Sequence, residues 1–160
     1  MDLYLIQHGE AVEKDINPDR PLTDAGRAAV ERVAAHAQRC GVRVTEVWHS
    51  GKTRAAETAA ILARRLAPGA PCVERSGLGP KDSAEDVCAQ LRRRKDGLAI
   101  AGHLPHLARV ASCLLTGDPS ADPVIFHRGG IVALERGEEG TWRLAWALPP
   151  FLAPAVHDDV

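Results

Sequence analysis

Two histidines and one arginine stand out because each closely follows a short apolar run of the chain. His8 follows the run 3–6, and His103 follows the run 98–101. Arg54 ends the polar segment that follows a third such run. A neutral imidazole is a nucleophile, and a protonated one is a cationic hydrogen-bond donor. A guanidinium offers a planar fork of donors that matches phosphate oxygens. Together, the three side chains suit the binding and transfer of a phosphoryl group.

The elements that would position these residues follow from alternating sequence patterns. Short aliphatic runs, typical of buried strands, alternate with segments whose apolar residues recur every three or four positions, as in amphipathic helices. This alternation predicts an α/β protein, a three-layer sandwich with a mostly parallel central sheet and helices on both faces. The predicted strands of the parallel part are 3–6, 46–49, 72–74 and 98–101.

Four helices are predicted between or after these strands. Thr23 and Ser83 are suitable N-caps for the first and the third helix. Pro68-Gly69 ends the second helix, and the fourth begins at Pro105 and ends at Gly117. The residues that should face the core share a helical spacing; they are Val30, Val33, Ala34, Ala37, Ala55, Ala59, Leu62, Leu66, Ala84, Val87, Cys88, Leu91, Leu107, Val110, Ala111 and Leu114.

The C-terminal part of the chain has a different pattern. Residues 131–135 and 142–146 predict a β-hairpin around the turn 137–140, placed at an edge of the sheet. Residues 149–160 contain three prolines and predict an irregular tail. The whole chain, residues 1–160, is expected to form a single domain with one core.

The predicted sheet would bring the three candidate residues to one place. In open α/β sheets, ligands bind beyond the carboxyl ends of the strands, where His8, Arg54 and His103 are expected. Taken singly, a histidine at a strand end often has only a structural hydrogen bond, and an arginine often pairs at the surface. Their shared position after three strands favours a phosphate site. Free amides where the second helix begins, at residues 53–55, would add to it.

Composition limits the classes of function. The formal net charge is −1, from 20 basic and 21 acidic side chains, so no strong field directs the chain to nucleic acid or to a membrane. Neither a signal peptide nor a membrane-spanning run is predicted. The four cysteines are scattered, which predicts reduced thiols in a cytoplasmic protein. No residues have the spacing of a metal site, and no glycine-rich phosphate loop is present in the sequence.

Four segments of the sequence resemble the histidine phosphatase superfamily, whose fold is phosphoglycerate mutase-like. That family carries Arg-His-Gly, Pro-Leu-Thr-x-x-Gly, Ser-x-x-x-Arg-Ala-x-x-Thr-Ala and a late Gly-His or Ser-His pair. The matching segments are 7–9, 20–26, 50–59 and 102–103. The short length and residues 103–105 and 126–134 are most similar to the SixA-type phosphohistidine phosphatases.

The resemblance implies a role for each matching residue. His8 would be the nucleophile that forms a phosphohistidine intermediate. Arg54 and a protonated His103 would hold the phosphoryl oxygens, with Ser50 and Thr58 as structural supports. No metal and no organic cofactor would be needed.

Gln7 departs from the family, which usually has arginine at this position as a second phosphate clamp. Glutamine donates hydrogen bonds without charge, and charge-assisted bonds are roughly twice as strong as neutral ones. We therefore expect Gln7 to bind the phosphoryl oxygens more weakly than an arginine, and another cation to complete the phosphate site. Lys81 and Arg128, each in a loop after a predicted strand, are the candidates. Alternatively, the site binds phosphate but turns over slowly.

The leaving group decides the expected substrate. An alcohol needs a proton donor, often a carboxylate, and the nearest carboxylates are Glu10 and Asp82. An imidazole can leave near neutral pH without a dedicated acid. Short loops would also leave the site open to a docked protein.

These features favour a phosphohistidine phosphatase that acts on a signalling or phosphotransfer protein. We expect a monomer in the cytoplasm, with a function in signal transduction. Two alternatives remain open: a phosphatase for small phosphate esters, and a phosphate-binding module with low turnover.

Overall fold

A computed structural model describes residues 1–156; residues 157–160, the end of the predicted tail, lie outside the described part. The strands are β1 Asp2–Gln7, β2 Glu46–His49, β3 Cys72–Glu74, β4 Leu98–Gly102, β5 Ile131–Arg136 and β6 Trp142–Leu148. Within residues 1–156 they form one six-stranded sheet in the order β3-β2-β4-β1-β5-β6. The first four strands pair in parallel, and β5 and β6 form an antiparallel hairpin at the edge. The predicted sheet is confirmed.

Helices cover both faces of the sheet, as predicted. They are α1 Asp24–Arg39, α2 Thr53–Leu66, α3 Ala84–Arg93 and α4 His106–Thr116. Side chains alternate along β1, so Tyr4 and Ile6 pack with α1 and α2, whereas Leu3 and Leu5 pack with α3 and α4. Every helical residue expected to face the core is buried. No helix in the described part of the chain is long and apolar enough to cross a membrane.

The element ends agree with the predictions in part. The Thr23 hydroxyl accepts a hydrogen bond from the Gly26 amide at 2.9 Å and caps α1. Ser83 occupies the N-cap position of α3, but its predicted capping bond is wrong. Its hydroxyl donates to the carboxylate of Glu85 at 3.1 Å and accepts no hydrogen bond from the backbone of the first turn.

The predicted irregular tail contains one regular turn. A short 3₁₀ helix spans Pro150–Leu152 and starts with a proline, whose fixed φ suits the first helical position. The described remainder of the tail is irregular, as predicted.

One end of the sheet collects the loops that carry the candidate residues. Strands β2, β4 and β1 are neighbours and end together, and we name this end the carboxyl edge. Because β5 is antiparallel to β1, with Ile6 opposite Ile131, the loop before β5 arrives at the same edge. Leu148, the last residue of β6, pairs with Ile131, so the chain after β6 also starts there.

Candidate active site

His8 and His103 lie side by side at the carboxyl edge. Gln7 of β1 is in register with Gly102 of β4, and the backbone amide of His8 donates to the carbonyl of Gly102 at 2.9 Å. The centroids of the two imidazole rings are 5.2 Å apart, and the ring planes are tilted by 53°. The parallel pairing of β1 with β4 therefore brings together two histidines that are distant in sequence.

Thr58 connects the loop after His8 to helix α2. Its buried hydroxyl accepts a hydrogen bond from the amide of Gly9 at 3.1 Å and donates one to the carbonyl of Arg54 at 2.8 Å. Arg54 lies in the first turn of α2, and its Nε is buried without a hydrogen-bond partner among residues 1–156. The positive charge of Arg54 lowers the pKa of both His8 and His103. The structure thus brings all three candidate residues together.

The surroundings of His8 fix its proton. Nδ1 lies 2.7 Å from the carbonyl oxygen of Gly9, and because a carbonyl only accepts, Nδ1 carries the hydrogen. Burial lowers the pKa of His8, and the positive charges of Arg54 and Arg20 lower it further, against the Gly9 bond, which raises it. The imidazole is therefore neutral near pH 7, and its Nε2 keeps a free electron pair. This is the protonation state that a nucleophile requires.

The tautomer of His103 is set by Ser50. The Ser50 hydroxyl lies 2.6 Å from Nε2 of His103 and also accepts a weak bond of 3.4 Å from the amide of Lys52. Because the hydroxyl oxygen accepts from the Lys52 amide, its own hydrogen is free to be donated to Nε2 of His103. The hydrogen of the imidazole ring is then on Nδ1. Nδ1 is buried and has no partner among the described residues. It is therefore a donor that a phosphoryl oxygen can use.

Burial works against the protonated form of His103 that the resemblance implied. Burial, followed by the neighbouring His8 and Arg54, lowers the pKa of His103 to about 3. The ring is 1% exposed, and two further cationic charges would make a second proton unfavourable. His103 donates as a neutral imidazole, and Ser50 decides which nitrogen donates.

Replacing Ser50 by Ala is expected to lower kcat about tenfold, because the tautomer of His103 is no longer fixed and one hydrogen bond worth about 1 kcal/mol is lost. Ser50→Thr, which keeps the hydroxyl, should restore most of the rate. Nitrogen-15 chemical shifts of His103 should report a mixed tautomer in Ser50→Ala. An unchanged rate with an unchanged tautomer would remove Ser50 from this role.

Arg20 belongs to the site but was not predicted there. Its positive charge lowers the pKa of both His8 and Arg54. Its backbone is left-handed, with φ of 49°, and its Nε donates to the carbonyl of Val12 at 3.2 Å. The only sequence signal was its place at the start of the motif segment 20–26.

The two predicted substitute cations differ in position. Arg128 is close to the site, since its charge lowers the pKa of His8 and the next amide, of Gly129, donates to the carbonyl of Gln7 at 2.8 Å. Lys81 is exposed in the loop before α3. No hydrogen bond or ion pair within residues 1–156 links Lys81 to His8, nor does its charge act on the pKa of that imidazole. The side chain of Gln7 is half-buried at the end of β1.

The nearby carboxylates are engaged elsewhere. Glu10 accepts a hydrogen bond from the Thr23 hydroxyl at 2.9 Å, and Asp82 accepts one from the amide of Gly79 at 2.7 Å. Asp82 faces His106 and raises its pKa, but burial dominates and lowers it. The charged side chains with the largest effects on the pKa of His8 are all arginines.

Acid is expected to destabilise the fold below the ordinary histidine pKa of 6.5. The pKa of His103 is about 3 in the fold, so the unfolded chain binds more protons between these values. The free energy of unfolding should therefore decrease as the pH is lowered. His103 alone should account for a decrease of about 2 kcal/mol at pH 5. His8 and His106 act in the same direction.

Urea unfolding at pH 7 and pH 5 measures this effect. In His103→Asn the difference between the two pH values should be smaller by about 2 kcal/mol. The same pH dependence in both proteins would show that His103 titrates normally in the fold.

Comparison with known families gives one model match. A model described as the histidine phosphatase superfamily, branch 1, matches residues 3–79. This part contains β1, α1, β2 and α2, and therefore His8, Arg20 and Arg54. A curated relative, described as an uncharacterized protein of Picosynechococcus sp., is 31% identical over 144 residues, which is 86% of each chain.

Solved structures extend the likeness over nearly the whole chain. The protein histidine phosphatase SixA, complexed with tungstate, matches with a TM-score of 0.83 and 22% identity over 94% of this chain and 98% of that one. The α-ribazole phosphatase from Shigella flexneri matches with a TM-score of 0.75 and 16% identity over 99% and 100% of the two chains. At these identities the likeness establishes a shared fold.

Proposed function

The chain belongs to the histidine phosphatase superfamily, and we propose that it is a phosphohistidine phosphatase that transfers the phosphoryl group first to His8 and then to water. The observation that carries this proposal is the protonation state of His8. Its Nδ1 is tied to the carbonyl of Gly9 at 2.7 Å, which leaves Nε2 as a nucleophile beside the guanidinium of Arg54.

The proposed reaction has two displacements. Nε2 of His8 attacks phosphorus while the bond to the leaving nitrogen of the substrate imidazole breaks. The substrate ring is protonated on its other nitrogen, so it departs as a neutral imidazole. A water molecule then attacks the phosphorylated His8, which releases inorganic phosphate and a neutral imidazole. Arg54, Arg20 and Nδ1 of His103 stabilise the equatorial oxygens in both steps, so catalysis rests on positioning and electrostatics.

The charges around the nucleophile favour an imidazole leaving group. The charged side chains with the largest effects on the pKa of His8 are arginines, and Glu10 and Asp82 each accept a hydrogen bond from another group. An alkoxide would leave slowly without a carboxylic acid beside it. An imidazole has a pKa near neutrality and needs no such acid. Among the proteins of similar fold, SixA is described as a protein histidine phosphatase, which agrees with this substrate class.

We further propose a phosphorylated histidine on a signalling or phosphotransfer protein as substrate, a monomeric enzyme, and action in the cytoplasm. Cys40 and Cys72 are exposed free thiols, which suits a reducing compartment.

A comparison of leaving groups tests the proposal. With equal enzyme at pH 7, kcat/KM for phosphohistidine should exceed that for glycerol 2-phosphate at least about 100-fold, because only the alkyl ester has a leaving oxygen that needs a proton donor. Comparable values would favour a phosphatase for small phosphate esters, the class suggested by the likeness to the α-ribazole phosphatase.

Gln7 supports the other alternative, a phosphate-binding module with low turnover. Tight phosphate binding without hydrolysis of either substrate, and a large gain in rate for Gln7→Arg, would establish that module and reject the phosphatase.

A further inference from the structure

Two open cavities at the carboxyl edge share Arg128, whose charge acts on the pKa of His8. One has a volume of about 490 Å³ and is lined by Ile16, and the other has about 370 Å³ and is lined by Phe151. Glu10 and Arg128 line both and form the wall between them. We name the two cavities together the flanking groove.

The flanking groove is attached to the nucleophile through the backbone on both sides. Glu10 comes two residues after His8. On the other side, the amide of Gly129, next to Arg128, donates to the carbonyl of Gln7 at 2.8 Å. A molecule that places a phosphoryl group on His8 therefore has the groove immediately beside it.

The walls of the groove expose large apolar side chains. Ile16 is 76% exposed and Phe151 is 72% exposed. Phe151 is nevertheless held in place, because its ring stands edge-on to the ring of His127 with centroids 5.4 Å apart. Covering such side chains with apolar surface stabilises a complex by roughly 25 cal/mol per Å².

Further exposed apolar residues lie around the same edge. Leu104 follows β4, Ile125 precedes β5, and Leu152 follows β6. The large exposed hydrophobic residues of the described chain thus lie mainly at the carboxyl edge, and Leu144 and Trp146 on β6 are the exceptions.

We propose that the flanking groove binds the polypeptide on both sides of the substrate phosphohistidine, with one apolar side chain against Ile16 and another against Phe151. This inference rests on the proposed function. Each cavity has the size of a small-molecule site, so a free amino acid on His8 cannot fill both. The charged wall of Glu10 and Arg128 offers an acceptor and donors for the polar backbone of a polypeptide between its two apolar side chains.

Three substrates and three variants test the inference. The substrates are free phosphohistidine and two twelve-residue peptides with a central phosphohistidine flanked by either leucines or serines. Wild type should hydrolyse the leucine peptide with a kcat/KM at least about tenfold above that of the serine peptide. In Ile16→Ser and in Phe151→Ser this preference should fall below about threefold, while kcat/KM for free phosphohistidine stays within twofold.

Leu144→Ser is the matched control, because Leu144 is 48% exposed and lies on β6 outside the groove. It should keep the full preference for the leucine peptide.

The proposed role of the groove would be rejected by equal kcat/KM for both peptides in wild type, or by a preference retained in Ile16→Ser and Phe151→Ser. In either case, turnover of free phosphohistidine would still support the proposed phosphatase. No turnover of any substrate would overturn the phosphatase itself. A wild-type dimer that Phe151→Ser converts to a monomer would assign the groove to a second copy of the chain and also reject the inference.

Discussion

Replacing His8 by Ala should lower kcat for phosphohistidine at least about 1,000-fold and abolish the covalent intermediate. His8 is the imidazole whose Nδ1 is tied to the carbonyl of Gly9 and whose Nε2 is left as a free electron pair. Its pKa is lowered by burial and by Arg54, so nearly all of the enzyme carries the nucleophilic form at pH 7. Without it, only the electrostatic part of the site remains, and water would have to attack the substrate directly.

The intermediate provides a separate measurement. A reaction with ³²P-labelled phosphohistidine, stopped with alkali after a few milliseconds, should leave a phosphoprotein that is stable in base and lost in acid. His8→Ala should carry no label. His103→Ala should still be labelled, more slowly, because it keeps the nucleophile and loses only a donor.

His49 offers a control for the loss of an imidazole at the same edge. Its Nδ1 accepts a hydrogen bond from the amide of Gly51 at 3.1 Å, which gives it a local structural role. His49→Ala should retain the label. Equal labelling of His8→Ala and wild type would place the covalent step on another residue and reject His8 as the nucleophile.

The sequence predicts the elements well because their signals are local. The strands 46–49 and 72–74 were placed with the bounds of β2 and β3, since a polar segment that contains glycine follows each of them. The helix faces were correct because a spacing of three and four positions determines which side chains share a face. The meeting of His8 with His103 also follows from the pattern, since parallel strands end at the same edge.

Features that depend on assembly could not be predicted in this way. The protonation of His103 depends on its burial beside His8 and Arg54, whereas the sequence shows only a histidine after a strand. The side chain of Ser83 is turned toward Glu85 and does not cap α3, a choice of side-chain conformation that the spacing of residues does not show.

Arg20 was missed because it lies in a loop without periodicity. Two long-range contacts place this loop: the amide of Val12 donates to the carbonyl of Pro21 at 2.8 Å, and Ala11 bridges to Leu22. The predicted substitutes for the missing charge, Lys81 and Arg128, lie in loops after strands, whereas the loop before α1 brings Arg20 to the site.

Arg20→Gln is expected to lower kcat/KM for phosphohistidine about 10- to 100-fold, because the site loses a guanidinium charge near the proposed nucleophile. Its guanidinium acts on both His8 and Arg54, and a charge-assisted hydrogen bond contributes about 1.5–3 kcal/mol. Arg128→Gln should have a smaller effect on kcat/KM, since the charge of Arg128 acts on the pKa of His8 but is not among the causes that lower the pKa of Arg54. Lys81→Gln is the control, because it also removes one positive charge but from an exposed side chain. It should change kcat/KM less than twofold.

The pH profile separates this role from a structural one. Arg20 and Arg128 lower the pKa of His8, so removing either charge should raise that pKa and move the acid limb of kcat/KM to higher pH. The sign follows because fewer positive neighbours make the protonated imidazole, which is not a nucleophile, easier to form. A merely misfolded loop would lower the rate without moving the limb. Two results together would contradict this role: an acid limb of kcat/KM that does not move in Arg20→Gln, and equal kcat/KM in Arg20→Gln and Lys81→Gln. They would show that Arg20 does not replace the positive charge that Gln7 lacks.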